Sequence, residues 1–146
     1  MTYQNYKKKL LITGIAGFIG SKIAKKVIEK GHEVIGVDDL SSGKENNIPN
    51  GTQFFKIDLS EKESFKKLPT NVDFILHVAG QSSGDVSFDN PILDLKKNTH
   101  STLNLIEYGI KNKVQKILYA SSMSVYGTVK DKPISEEYKT NPLSCY

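Results

Sequence analysis

Leu10-Leu11-Ile12-Thr13-Gly14-Ile15-Ala16-Gly17-Phe18-Ile19-Gly20 is the stretch on which the fold turns. A short apolar run ends at Thr13, glycines follow at 14, 17 and 20, and a segment with helical spacing begins after them. Strand, glycine turn and helix in that order is what a phosphate-binding turn requires. Gly14 lets the chain reverse off the strand, Gly17 lets backbone approach a pyrophosphate, and Gly20 lets the helix lie close to the sheet. The free N–H groups and positive dipole end of that helix then face the phosphates. The spacing is G-x-x-G-x-x-G, one residue longer in its first gap than the commoner G-x-G-x-x-G.

Outward from this stretch the chain alternates strand and helix. Residues 1–8 are polar and read as loosely held. The run Lys9 to Thr13 is continuously apolar at its centre, as in a strand covered on both faces. Between Phe18 and Lys30, Ile19, Ile23, Val27 and Ile28 form one helical stripe, and Gly31 stops the helix. Further strands are expected at Glu33–Val37, Thr52–Ile57, Asp73–Val78 and Lys116–Ala120. Ser60 and Glu63 make a capping-box pair for a short helix reaching Leu68, and Ala79–Ser87 reads as a small-residue loop. Asn90 and Pro91 start a helix that carries Ile92, Leu95, Thr99, Leu103, Ile106 and Ile110 on one side. The pattern predicts an α/β, doubly wound parallel sheet of order 3-2-1-4-5, with ligands at the carboxyl ends of the strands.

The 146 residues suit one domain, 1–146. Twenty lysines and no arginine give a net charge of +4, and their scatter reads as solvated helix faces, so no nucleic-acid partner is expected. The single cysteine, Cys145, rules out an internal disulfide and suits a reducing cytosol; no metal site is expected. No run approaches the ~20 apolar residues of a membrane span, so a cytoplasmic protein without a membrane partner is expected.

Asp38 follows Gly20 by eighteen residues, near the ~20 at which an acid accepts hydrogen bonds from an adenosine ribose. A carboxylate there repels a 2′-phosphate, which favours NAD over NADP. Asp58 either accepts from an adenine amino group or serves ordinary turn chemistry. His77, inside an apolar strand, reads as a structural, hydrogen-bonded histidine rather than an acid–base group.

Thr13-Gly14-x-x-Gly17-Phe18-Ile19-Gly20, Val37-Asp38-Asp39-Leu40-Ser41-Ser42-Gly43, Asp58-Leu59, His77-Val78-Ala79-Gly80-Gln81, Asn98 and Ser121-Ser122-x-x-Val125-Tyr126-Gly127 together resemble the extended short-chain dehydrogenase/reductase family. Within it they are most similar to the NAD-dependent nucleotide-sugar epimerases and dehydratases, over nearly the whole chain. The resemblance implies a Rossmann domain with bound NAD. It puts Gly14, Gly17, Phe18, Ile19, Gly20, Asp38, Asp58, Leu59 and Asn98 among the cofactor-binding residues. Asp39, Ser42 and Gly43 then flank the adenosine, and Val78, Ala79 and Gly80 line the nicotinamide side.

Ser122 matches the family's catalytic Ser/Thr, and Tyr146 matches the tyrosine base of its Tyr-x-x-x-Lys motif. The lysine, the last strands of the family's sheet and its nucleotide-sugar domain have no counterpart in these 146 residues. A truncated chain with little or no turnover is therefore expected, with a nucleotide-sugar substrate only if the remaining part is present. Met123 and Ser124 stand where dehydratases carry two acids, which favours an epimerase. A non-catalytic dinucleotide-binding module is the alternative. With no neighbour on one side of the fifth strand, a homo-oligomer covering that edge is expected.

Overall fold

The computed structural model describes residues 6–129 and 133–146. Residues 1–5 of the expected polar start lie outside the described residues. Five strands, β1 (Lys9–Thr13), β2 (Glu33–Asp38), β3 (Thr52–Lys56), β4 (Phe74–His77) and β5 (Lys116–Tyr119), form one sheet in the order β3-β2-β1-β4-β5. Every pairing is parallel. The chain reverses direction across the sheet between β3 and β4, so the crevice of a doubly wound fold opens beside β1, at the carboxyl ends of its neighbours.

β1 shows why its apolar run is unbroken. Leu11 faces a core made with Ile35, Val37, Ile57, Ile75, Leu105 and Tyr108, while Ile12 faces a second core with Ile15, Ala24 and Val34. Successive strand residues point to opposite faces, so a strand covered twice needs an apolar residue at every position. Helix α1 (Phe18–Glu29) covers the second core through buried Gly20, Ser21 and Ala24. Ile23, Val27 and Ile28 pack beside them, but Ile19, placed on the same stripe from its spacing, is exposed.

Three local expectations are corrected. Residues Lys62–Lys67 form a 3-10 helix whose cap position, Glu61, makes no side-chain cap bond. Ser60 is not a capping-box partner, because its hydroxyl and N–H are both spent on Asp58 Oδ1 at 2.7 and 2.9 Å. The loop expected at Ala79–Ser87 is half helix: α2 (Gly84–Asp89) begins after Ser83, whose Oγ accepts from Val86 N–H.

The third correction concerns the long helix after Pro91. Asn90 caps it as expected, accepting from Leu93 N–H at 3.0 Å. The helix then runs as α3 (Pro91–Leu95), a π-turn over Lys96–His100, and α4 (Ser101–Lys111). The face turned to the protein carries Asp94, Ser101, Asn104, Leu105, Tyr108 and Gly109. Ile92, Leu95, Leu103, Ile106 and Ile110, the apolar side, are exposed. β5 is the outer strand on this side, with Leu118 and Tyr119 more than half exposed. Among the described residues, no helix is long and apolar enough to cross a membrane.

Candidate functional site

The carboxyl ends of β1, β2, β3 and β4 and the π-turn meet at one edge of the sheet. β1 delivers Thr13 into the glycine turn. Gly14 takes φ +68°, and a Cβ there would lie 2.9 Å from Ala79 N. Gly20 crosses so near the turn that its Cβ would lie 2.1 Å from Gly14 O. The close approach that demands glycine at 20 is thus between helix and turn, not between helix and sheet. At the start of α1, no side chain caps the helix and its first turn carries no acid. Backbone donors at such an end, on a helix of this length, suit an anion. The exposed side chains of Phe18 and Ile19 flank them.

Asp38, at the end of β2, is fixed to that turn. Its Oδ2 accepts from Ala16 N–H at 2.9 Å and its Oδ1 from Leu40 N–H at 2.9 Å. The loop behind it folds over the turn: Asn47 Nδ2 donates to Ala16 O at 2.9 Å, and Gly43 lies so close to Ala16 that a Cβ would sit 2.7 Å from the alanine Cβ. Ser42 is exposed on the same loop.

Asp39 and Asp58 are each committed to their own loop and to one lysine. Asp39 Oδ1 accepts from Ser41 N–H and Oγ, as Asp58 Oδ1 does from Ser60. Lys97 Nζ donates to Asp39 Oδ2 at 2.8 Å and to Asp58 Oδ2 at 2.6 Å. Partial burial pushes both carboxyls up, but the ammonium and the serine donors outweigh it and hold both below the usual range. Burial acts against the Lys97 charge too, and the two carboxylates reverse that and raise it. Leu59 turns its side chain into the core, and its carbonyl accepts from Asn104 Nδ2 at 3.0 Å.

Below the site lies a chain of hydrogen bonds with one consistent proton arrangement. Thr13 Oγ1 accepts from Val78 and Ala79 N–H at 3.2 and 3.1 Å, so its own proton goes to His77 Nδ1 at 2.7 Å. The imidazole then carries its proton on Nε2 and donates to Thr102 Oγ1 at 2.9 Å, which donates onward to Asn98 O. His77 is 1% exposed, and burial lowers its pKa to about 4. It stays neutral and fixes the loop after β4, as the sequence reading held.

Asn98 grips the same loop by accepting from Gln81 N–H at 2.8 Å and donating to Gln81 O at 3.0 Å. Gly80 leaves room for this grip, since a Cβ there would lie 2.9 Å from Asn98 Oδ1 and push the amide aside. Buried Asp94 holds Gln81 Nε2 and Asn98 Nδ2 through Oδ1. Asp94 and Asn98, four residues apart on one helix, are a spacing signal not used in the sequence reading. Lys97 had no such signal.

The two residues matched to catalysis are placed on separate supports. Ser122 caps the 3-10 turn Met123–Tyr126 by accepting from Ser124 N–H at 3.1 Å. The N–H of Tyr146 donates to Ser87 Oγ at 3.0 Å. Tyr126 packs edge-on against Tyr138, with centroids 6.4 Å apart.

This chain is 38% identical over 139 residues to a putative UDP-glucose 4-epimerase of Methanocaldococcus jannaschii, covering 94% of this chain and 46% of that one. It is 37% identical over 146 residues to UDP-glucuronic acid decarboxylase 1 of Xenopus tropicalis, covering 96% of this chain and 34% of the relative. Its fold superposes with a TM-score of 0.84 on the crystal structure of Thermus thermophilus UDP-glucose 4-epimerase in complex with NAD, 37% identical and covering 94% and 46% of the two chains. The chain therefore spans less than half the length of these relatives. The sequence model of one family matches residues 10–146, nearly everything from the first strand onward, and the chain belongs to that family, the NAD dependent epimerase/dehydratases.

Proposed function

We propose that residues 1–146 are the NAD-binding Rossmann domain of a nucleotide-sugar epimerase, the amino-terminal part of a longer family architecture. The observation that carries this reading is the Asp38 carboxylate, held on the glycine turn by Ala16 N–H at 2.9 Å. An acid in that place accepts ribose hydroxyls while the turn and helix start accept the pyrophosphate. Gly14, Gly17, Phe18, Ile19 and Gly20 form the phosphate cradle. Asp39, Ser42, Gly43, Asp58 and Leu59 flank the adenosine, and Val78, Ala79, Gly80 and Asn98 form the nicotinamide side. The nicotinamide ring, when bound, supplies the hydride acceptor and donor.

Ser122 hydrogen-bonds the sugar hydroxyl to be oxidised, and Tyr146 is its base. A phenol with an ordinary pKa of ~10 needs a neighbouring cation to ionise at neutral pH. The family's lysine for this task falls four residues after the tyrosine. Similarity to UDP-glucose 4-epimerases supports a UDP-hexose as substrate of the whole protein. Met123 and Ser124 in place of two acids support epimerisation over dehydration. A non-catalytic dinucleotide-binding module is the second reading. The free thiol of Cys145 suits a reducing cytosol. The exposed β5 edge supports association of two copies along it.

Calorimetric titration with NAD and with NADP tests the reading. Saturable heat with NAD and weaker binding of NADP is the expected result. No heat with NAD would overturn the assignment, and tighter NADP binding would overturn the role of Asp38.

A further inference from the structure

Lys97 lies outside every motif by which the family is recognised in this chain, yet its ammonium joins two carboxylates at the carboxyl end of the sheet. It projects from the π-turn Lys96–His100, a widened turn of the kind that often marks functional positions. Its backbone is held there by Ser101 Oγ, which donates to Lys97 O at 2.5 Å. The two carboxylates that its ammonium joins belong to different loops, one following β2 and the other following β3. Each loop is locally complete, since Asp39 is closed on Ser41 and Asp58 on Ser60. The β2–β3 ladder already brings the two loops side by side, Ile57 N–H donating to Asp38 O at 3.1 Å. What the local bonds leave uncompensated is the charge of the two aspartates, and Lys97 bonds the remaining oxygen of each, at 2.8 and 2.6 Å. All three side chains are only a quarter to a third exposed, so solvent screens the arrangement incompletely.

We propose that Lys97 is a specificity-determining positioning residue, which sets the charge of the adenosine end of the dinucleotide site and the orientation of its two aspartate side chains. This rests on the reading that Asp38, Asp39 and Asp58 surround the adenosine. With Lys97 present, the two aspartates it joins carry one net negative charge between the three groups. Without it they carry two negative charges a few ångströms apart and repel each other. Their side chains turn apart on loops the sheet still holds together, and the site loses its fit to adenosine. The uncancelled charge also falls harder on a ligand with a 2′-phosphate than on one without.

The test compares the 146-residue wild-type chain with Lys97→Met, which keeps the stem and removes the charge, and Lys97→Arg, which keeps the charge. Calorimetric affinities are measured for NAD, ADP-ribose and NADP, alongside thermal midpoints. Lys97→Met is expected to weaken NAD and ADP-ribose equally, by about tenfold, and to raise the NADP-to-NAD Kd ratio. Lys97→Arg is expected to restore most of the loss. A purely structural lysine would lower the midpoint and leave the ratio unchanged. If Lys97→Met does not fold, Asp39→Asn/Lys97→Met relieves the repulsion and is judged by its NAD affinity and ratio. Affinities within twofold of wild type together with an unchanged ratio overturn the proposal while leaving NAD binding in place. A wild-type chain that binds no NAD overturns the underlying reading and, with it, the role of Lys97.

Discussion

The β1–α1–β2 unit and the helical run from Pro91 to Lys111 lie against one sheet, yet they bury different kinds of residue. The first buries Leu11, Ile12, Ile15, Ala24, Val34, Ile35 and Val37, the residues an apolar pattern selects. The second buries Asp94, Ser101 and Asn104 beside Leu105 and Tyr108, and leaves Ile92, Leu95, Leu103, Ile106 and Ile110 in solvent. In the first, backbone ladders satisfy most of the polar groups, and buried polar side chains, Thr13 and Ser21, are few beside the apolar ones that fill space. In the second, the inward face must also hold the loops after β3 and β4, and polar side chains are the means: Asn104 on Leu59 O, and Asn98 on Gln81. Buried polar groups are tolerated because they are paired. The lesson is that an apolar stripe identifies a face to be covered, not which body covers it.

The sharpest test of this contrast is on α4 itself. Leu105 is 1% exposed, so Leu105→Ala is expected to destabilise by about 2–5 kcal/mol, read from urea unfolding. A cost below ~1 kcal/mol would mean that the polar network, not packing, holds this helix to the sheet.

The His77 chain between the two regions has a pH signature. Burial lowers the imidazole from 6.5 to about 4 in the folded protein. Between those values the unfolded chain binds a proton that the folded one does not. The stability is therefore fully present above pH 6.5, falls as pH drops through the window, and is gone below pH 4. The span is worth about 3 kcal/mol. His77→Gln is expected to flatten the decline over that window. An undiminished slope would assign the acid sensitivity to another group, because the carboxylates held low by Lys97 lose their contribution only below their ordinary value of 3.8.

The smallest effect is expected on the outward stripe. Leu103 is 58% exposed, and Leu103→Ala is expected to change stability by less than ~0.5 kcal/mol at any protein concentration if copies pair along β5. A larger cost that vanishes on dilution, with a monomer by light scattering, would move the contact between copies to the helix face.

Most of the strand–helix frame was legible because its signals are local. Glycine at a positive φ, apolar residues covered on both strand faces, and Asn90-Pro91 opening a helix act within a few residues. The same is true of Asp38, whose partners, Ala16 in the turn and Leu40 two residues on, belong to the motif that announces it. The capping box at Ser60 was misread because an aspartate two residues earlier competes for the same hydroxyl. In the long helix the apolar side is visible in sequence, while the surface facing it is not.

By itself, then, the sequence determined the parallel sheet order, the glycine turn with its acid, and the kinship these carry. Only the tertiary structure decided that a lysine joins Asp39 and Asp58, 58 and 39 residues away from it, and that Asn98 grips Gln81. The reason is range. Backbone conformation is chosen by near neighbours, whereas an ion pair across two loops exists only once the sheet has brought the ends of its strands together.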